Sequence, residues 1–221
     1  MKKALLAFLA IALAYAATAA PAFAQVLYTS GSSTYNLNGY AIQSPLYVTD
    51  SFDPTQSGTA TSVEFVAWLY LGDSLTDVSW SIGTTADSSN LGSGTVDPSA
   101  SFIQANSFGY NVYSETFSIP NLSLTDGDTY YLTLQNAVSS NTDPVFWDEN
   151  DNSNTGYQGG GGTANGAVGS ETFEILGTPN TVAATPEPSS LLLLGTGLLG
   201  LGLVARARPS LRAGILGSRV G

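Results

Sequence analysis

Between Gln25 and Pro188 the chain carries all 17 of its Asp and Glu residues and not one Lys, Arg, His or Cys. That stretch has no means of forming an ion pair, a disulfide, a His/Cys zinc site or a His-dependent catalytic triad. Its fold must be held by apolar packing and hydrogen bonds, under a uniformly acidic surface. Such a surface repels nucleic acid, acidic polysaccharide and anionic headgroups, and attracts divalent cations and basic partners. Nucleic-acid binding is excluded on this ground. Serine is plentiful, but no histidine or lysine stands in the stretch to activate it and no Gly-x-Ser-x-Gly elbow is present, so an enzyme is not expected.

The apolar residues alternate with polar ones. Val63 to Leu71 is the strongest strand candidate; Val78, Trp80 and Ile82 alternate with Ser79 and Ser81. Tyr113, Glu115, Phe117 and Ile119 share one face of another candidate, and Tyr130, Leu132 and Leu134 lie opposite Tyr131 and Thr133. These are period-two patterns, separated by turn signals at Asp53-Pro54, Gly72-Asp73, Asp97-Pro98, Asp126-Gly127-Asp128 and Asp143-Pro144. No long helical periodicity interrupts them. The expectation is an all-β, two-sheet β-sandwich of jelly-roll kind with a single core over residues 25–176. Thr84 to Gly94 reads as a polar loop, and Asp151 to Ser170, with four consecutive glycines at 159–162, as a long flexible excursion.

The ends carry an address. Lys2 and Lys3 precede an apolar run to Ala20, and Ala22-Phe23-Ala24 offers small residues at alternate positions, so residues 1–24 read as a signal peptide cleaved before Gln25. Residues 177–185 read as a linker. Pro186-Glu187-Pro188 then opens onto the apolar run Ser189 to Ala205, followed by Arg206 and Arg208. At 1.5 Å per residue such a run spans roughly 25 Å, the short end of a membrane crossing, and glycines 195, 197, 200 and 202 offer a narrow packing face. The expectation is a transmembrane helix, with Arg206 and Arg208 as stop-transfer charges, residues 209–221 as a cytoplasmic tail and the domain on the periplasmic side of the inner membrane.

This order of elements resembles the PEP-CTERM sorting signal of exported Gram-negative bacterial proteins. The resemblance implies that Pro186, Glu187 and Pro188 are the sorting motif recognised by an exosortase, a membrane-embedded sorting enzyme, in segment 186–208, before transfer to the cell surface or matrix. The chain departs from the family pattern by continuing through Pro209, Arg212 and Arg219 to Gly221. The exported part is similar, through Trp68, Val78 to Thr84, Tyr130 to Ala137 and Val145 to Asn150, to bacterial surface domains of the choice-of-anchor type, R form. That family implies no catalytic residues.

Two sites are candidates. Asp143, Asp148, Glu149 and Asp151, with Asn150 and Asn152 among them, form the densest group of oxygen ligands, which reads either as a calcium site or as a solvated acidic loop. Trp147, beside Phe146 and these acids, is a candidate for stacking on a sugar ring, whereas Trp68 and Trp80 read as core. The Asp126-Gly127-Asp128 segment reads as a hairpin turn, and Glu64 and Glu115 as strand residues facing solvent or lying at an edge. The functional expectation is an exported structural or interaction protein. The alternative is a carbohydrate-binding module, calcium-dependent or not, with extracellular polysaccharide as partner.

Overall fold

The structure, a computed structural model, describes residues 24–152 and 154–180, with Gly195 and Leu198. The chain divides into two compact units, Met1–Asn180 and Thr181–Gly221. The described residues of the first unit form strands β1 (Gln25–Thr29), β2 (Gly39–Ala41), β3 (Leu46–Phe52), β4 (Gly58–Leu69), β5 (Leu75–Gly83), β6 (Gly92–Val96) and β7 (Ser99–Ala105). They continue as β8 (Asn111–Leu124), β9 (Tyr130–Ser139), β10 (Phe146–Asp148), β11 (Gly156–Gly160), β12 (Thr163–Val168) and β13 (Phe173–Pro179).

All pairings are antiparallel and fall into two sheets. In the first, β4 is the organising strand: β8 runs along one edge from Leu69 to Gly58, while β13 and then β10 share the other. β1 extends this sheet beyond β13, β2 beyond β10, and β7 beyond β8. The second sheet runs β12-β11-β3-β9-β5-β6. Side chains alternate across each strand. Val63 and Phe65 of β4, Val78, Trp80 and Ile82 of β5, Phe117 and Ile119 of β8, and Leu132 and Leu134 of β9 therefore meet in one core, joined by Phe52, Trp147 and Phe173. A second, smaller cluster lies on Val66, Trp68 and Val112, with Tyr35, Ile103, Tyr110 and Phe146 packed against it.

Three expectations are corrected. The described fold departs from the expected sandwich of jelly-roll kind: β4 shares one edge between β13 and β10, and the sheets contain seven and six strands. The excursion at 151–170 is largely a hairpin, β11 with β12, because Gly160, Gly161 and Gly162 all have positive φ and so turn the chain where side-chain-bearing residues would be strained. Finally, the signal helix expected at 1–24 lies outside the described residues except for Ala24, as does the apolar run 189–205 except for Gly195 and Leu198, both helical and exposed. Among the described residues no helix is long and apolar enough to cross a membrane. The expected transmembrane helix and membrane-anchored placement find no support among the described residues, which form two antiparallel sheets and no spanning helix; Arg206 and Arg208 lie outside the described residues.

Glu115 falls on the core face of β8 beside Phe117, fully buried, with neither carboxylate oxygen hydrogen-bonded. Burial, reinforced by the charge of Asp97, pushes its pKa up to about 8. A carboxyl raised in the folded state binds its proton more tightly there than in the unfolded chain. Its stabilisation is thus complete below the ordinary glutamate range and is lost as pH rises through about 8. Thermal midpoints should fall as pH rises from about 6 to about 8, and Glu115→Gln, which keeps the shape without the charge, should flatten that fall. An unchanged slope in the variant would assign the titration to another group.

Candidate functional site

β10 sets the geometry of the site by placing alternate residues on opposite faces of the first sheet. Trp147 points into the core: it is fully buried between Phe65 and Phe173, and its Nε1 donates to the Thr172 carbonyl at 3.0 Å. Its indole has no exposed face for a sugar. Phe146 and Asp148 lie on the other face, where Phe146 stands opposite Trp68 of β4. Asp148 is buried, and its two oxygens accept from Trp68 Nε1 at 2.7 Å and Thr172 Oγ1 at 2.6 Å. Burial nevertheless raises its pKa, with Glu149 adding to the effect and the hydrogen bonds opposing it.

Above that anchored indole is an aromatic cleft of about 180 Å³, lined by Asn38, Gly39, Trp68, Phe108, Tyr110 and Phe146. Phe108 and Tyr110 stack on Trp68 at ring-centroid distances of 5.5 and 6.0 Å, and Tyr110 continues edge-on to Tyr70 and Phe146. Gly39 permits this: a Cβ there would come within 3.0 Å of the Trp68 ring and 3.1 Å of Phe146 Cβ. Phe108 sits in the turn between β7 and β8 with 56% of its surface exposed. The turn is fixed by the side chain of Asn106, whose Oδ1 accepts from Phe108 N and Tyr110 N, and by Asn36 Oδ1, which accepts from Ser107 N at 2.7 Å. An apolar ring is thus held out to solvent by a hydrogen-bonded loop, and the order imposed beforehand lowers the entropy a ligand would have to remove.

On the core face, a second group of acids gathers where the sheets meet. Asp50 of β3, in the second sheet, accepts from Glu171 N at 2.6 Å and Ser170 Oγ at 3.0 Å through Oδ2, tying the sheets together. Its Oδ1 is buried without a partner, and so are both oxygens of the fully buried Glu171. Glu171 pairs across an isolated antiparallel bridge with Glu149. Burial first, then the charges of Asp50, Glu149 and Asp148, raise the pKa of Glu171 well above the usual glutamate value. Burial pushes Asp50 up to about 6, and burial with the charge of Asp50 pushes the neighbouring Tyr28 up to about 12.

Of the residues singled out by sequence, the structure leaves Asp143 and Asp151 exposed, buries Asp148 against Trp68, and places Glu149 at intermediate depth. Among the described residues no group of three or more His, Cys, Asp or Glu side chains is arranged to hold a metal ion. Asp126-Gly127-Asp128 is the turn between β8 and β9, with Gly127 at φ 83°. Glu64 accepts from Ser114 Oγ at 2.6 Å. Sequence reasoning passed over Asp50, Glu171, Phe108 and Tyr110. The one local signal for the aromatic pair is Phe108-Gly109-Tyr110 itself, since aromatic residues flanking a turn glycine have no strand face on which to be buried.

Residues 184–208 match the PEP-CTERM protein-sorting motif. The motif marks a protein that is exported and sorted at its C-terminus by an exosortase-like enzyme, and it contains Pro186, Glu187 and Pro188. No curated protein and no solved structure matches the chain significantly.

Replacing Trp147 by Ala should destabilise the domain by about 3–5 kcal/mol, the cost of emptying a large aromatic site in a packed core. Urea unfolding followed by far-UV circular dichroism measures this directly. A loss under about 1 kcal/mol would show that Trp147 is not the core element its burial makes it.

Proposed function

We propose that this protein is an exported interaction module: a two-sheet β domain delivered by exosortase-type sorting, whose working surface is the aromatic cleft around Trp68. The observation that carries this reading is the exposed, hydrogen-bonded turn holding Phe108 over Trp68, beside Tyr110 and Tyr70. A ring fixed in solvent contributes little to folding and much to contact. Export and sorting follow from the motif at 184–208; the role at the cell surface or in the matrix, and kinship with choice-of-anchor domains, belong to this proposal.

The ligand class favoured by the cleft is a neutral polysaccharide. Flat aromatic faces cover the C–H face of a pyranose, and the phenolic groups of Tyr70 and Tyr110, 3.5 Å apart, together with Asn38 at the lining, offer hydrogen bonds to ring hydroxyls. The acidic domain carries no cationic side chain with which to hold an anionic glycan. The saccharide platform expected at Trp147 is thus reassigned to Phe108, Tyr110 and Tyr70.

Phe108→Ala and Tyr70→Ala, both at exposed positions, should each weaken retention on a neutral glycan array at least tenfold while leaving the thermal midpoint within about 2 °C of the parent. Undiminished retention would remove the cleft from the reading. Independently, alanine at Pro186, Glu187 and Pro188 should block C-terminal processing in cells that contain an exosortase, seen as retention of the full-length mass. Normal processing of that variant would detach the motif from its role.

A further inference from the structure

We propose that a second recess on the outer face of the first sheet is a further binding subsite, which takes the next sugars of the neutral polysaccharide assigned to the aromatic cleft, an assignment that rests on that reading of the cleft. The recess has a volume of about 210 Å³, and its lining includes Ser33, Tyr35, Glu64, Ser114, Thr172 and Glu174. Alternation along β4 puts Glu64, Val66 and Trp68 on one face, so Glu64 lies roughly 13 Å along the strand from the cleft at Trp68. The two hollows are neighbours on one surface.

One chain segment walls both. It contributes Ser33 and Tyr35 to the recess and Asn38 and Gly39 to the cleft. Between the hollows Tyr35 and Ile103 pack against Val66. Ile103 is the residue left over where the register of β7 with β8 shifts between Phe102 and Gln104, and a bulge of this kind re-aims a side chain. The segment is held in place beforehand: Ser33 Oγ donates to the Glu149 carbonyl at 3.2 Å and accepts from Tyr35 N at 2.8 Å. Asn36 Oδ1 ties it to the turn that carries Phe108. A ligand spanning both hollows therefore meets surfaces that are already ordered.

The chemistry of the recess is that of hydroxyl recognition. Glu64 and Glu174 stand directly opposite each other in the pairing of β4 with β13, both at intermediate depth. Like charges so placed oppose folding, and within Gln25–Pro188 no Lys, Arg or His offsets them. A carboxylate offers about four acceptor positions, and Ser114 Oγ takes one of them at Glu64 Oε1, 2.6 Å away. Neighbouring hydroxyls of a pyranose supply paired O–H donors that match the two oxygens of a carboxylate, in hydrogen bonds strengthened by its charge. Tyr35 adds an aromatic wall, so that the recess repeats the combination of ring and polar acceptor found in the cleft. A basic side chain would answer the charges as well, but the shared strand and the shared segment favour a chain already seated on Trp68. The same two carboxylates repel uronic and sulfated sugars.

The test is titration of the full-length protein with the disaccharide and the hexasaccharide of each neutral glycan retained on the array, followed by NMR at the indole N–H of Trp68. The hexasaccharide should bind at least about tenfold more tightly than the disaccharide, the scale of one hydrogen bond to a charged group. Glu64→Ala and Glu174→Ala should each remove about that factor from the hexasaccharide and leave the disaccharide within about twofold. Each substitution deletes one of two facing like charges, so the thermal midpoint should hold or rise. Phe108→Ala should weaken both ligands. Hexasaccharide affinity unmoved in Glu64→Ala and Glu174→Ala, with Phe108→Ala still weakening both ligands, overturns the second subsite and leaves the cleft standing. A parent protein that retains no glycan overturns both. Glycan binding independent of length, with an oligolysine peptide retained through Glu64 and Glu174, overturns the subsite in favour of a basic protein partner.

Discussion

No cationic side chain exists between Lys3 and Arg206, so every carboxylate that the two sheets bury must be satisfied by neutral donors, by a proton or by an ion from outside. The first two are represented in one molecule. Asp148 takes the first, with an indole N–H and a threonine hydroxyl directed at its two oxygens. Glu115, alone on an apolar strand face, takes the second, its pKa pushed up to about 8 by burial. Asp50 and Glu171 have donors for only one oxygen of the four. Their other three oxygens are buried without a donor.

The aromatic cleft depends on the same economy of donors. Trp68 cannot leave the face of β4 without stranding Asp148, and Asp148 is positioned by the pairing of β10 with both β4 and β2. Phe108 and Tyr110 stack on an indole that is thereby immobile, and Gly39 of β2 closes over it because it has no Cβ. An aromatic cleft on the outside of the sheet is supported by a buried hydrogen bond beneath it. The PEP-CTERM motif is separate from this domain in sequence and answers where the protein goes; what the cleft meets there is the subject of the proposal above.

Much of the strand pattern was legible because it is local. Val78, Trp80 and Ile82 read as a buried face and are one, as are Tyr130, Leu132 and Leu134. The Asp126-Gly127-Asp128 turn followed from glycine's tolerance of positive φ. Other features depended on partners distant in sequence. Trp147 and Trp68 are alike as isolated residues, but the register of β10 sends the first inward and leaves the second under the cleft. Glu115 reads as a solvent-facing acid in an alternating strand, yet it falls on the same face as Phe117 and Ile119 and is buried with them.

By itself the sequence determined the all-β character, through its period-two alternation, and the acidity without counter-charge, through composition alone. It also determined the sorting address, because a linear motif is read as a string and needs no folded partner. Tertiary structure alone decided which carboxylates became chemistry. Asp50 and Glu171 meet because β3 and the approach to β13 belong to different sheets that close on one core, and no spacing along the chain records that contact. Burial, not residue type, separates a solvated acid from one that must find a proton or a cation.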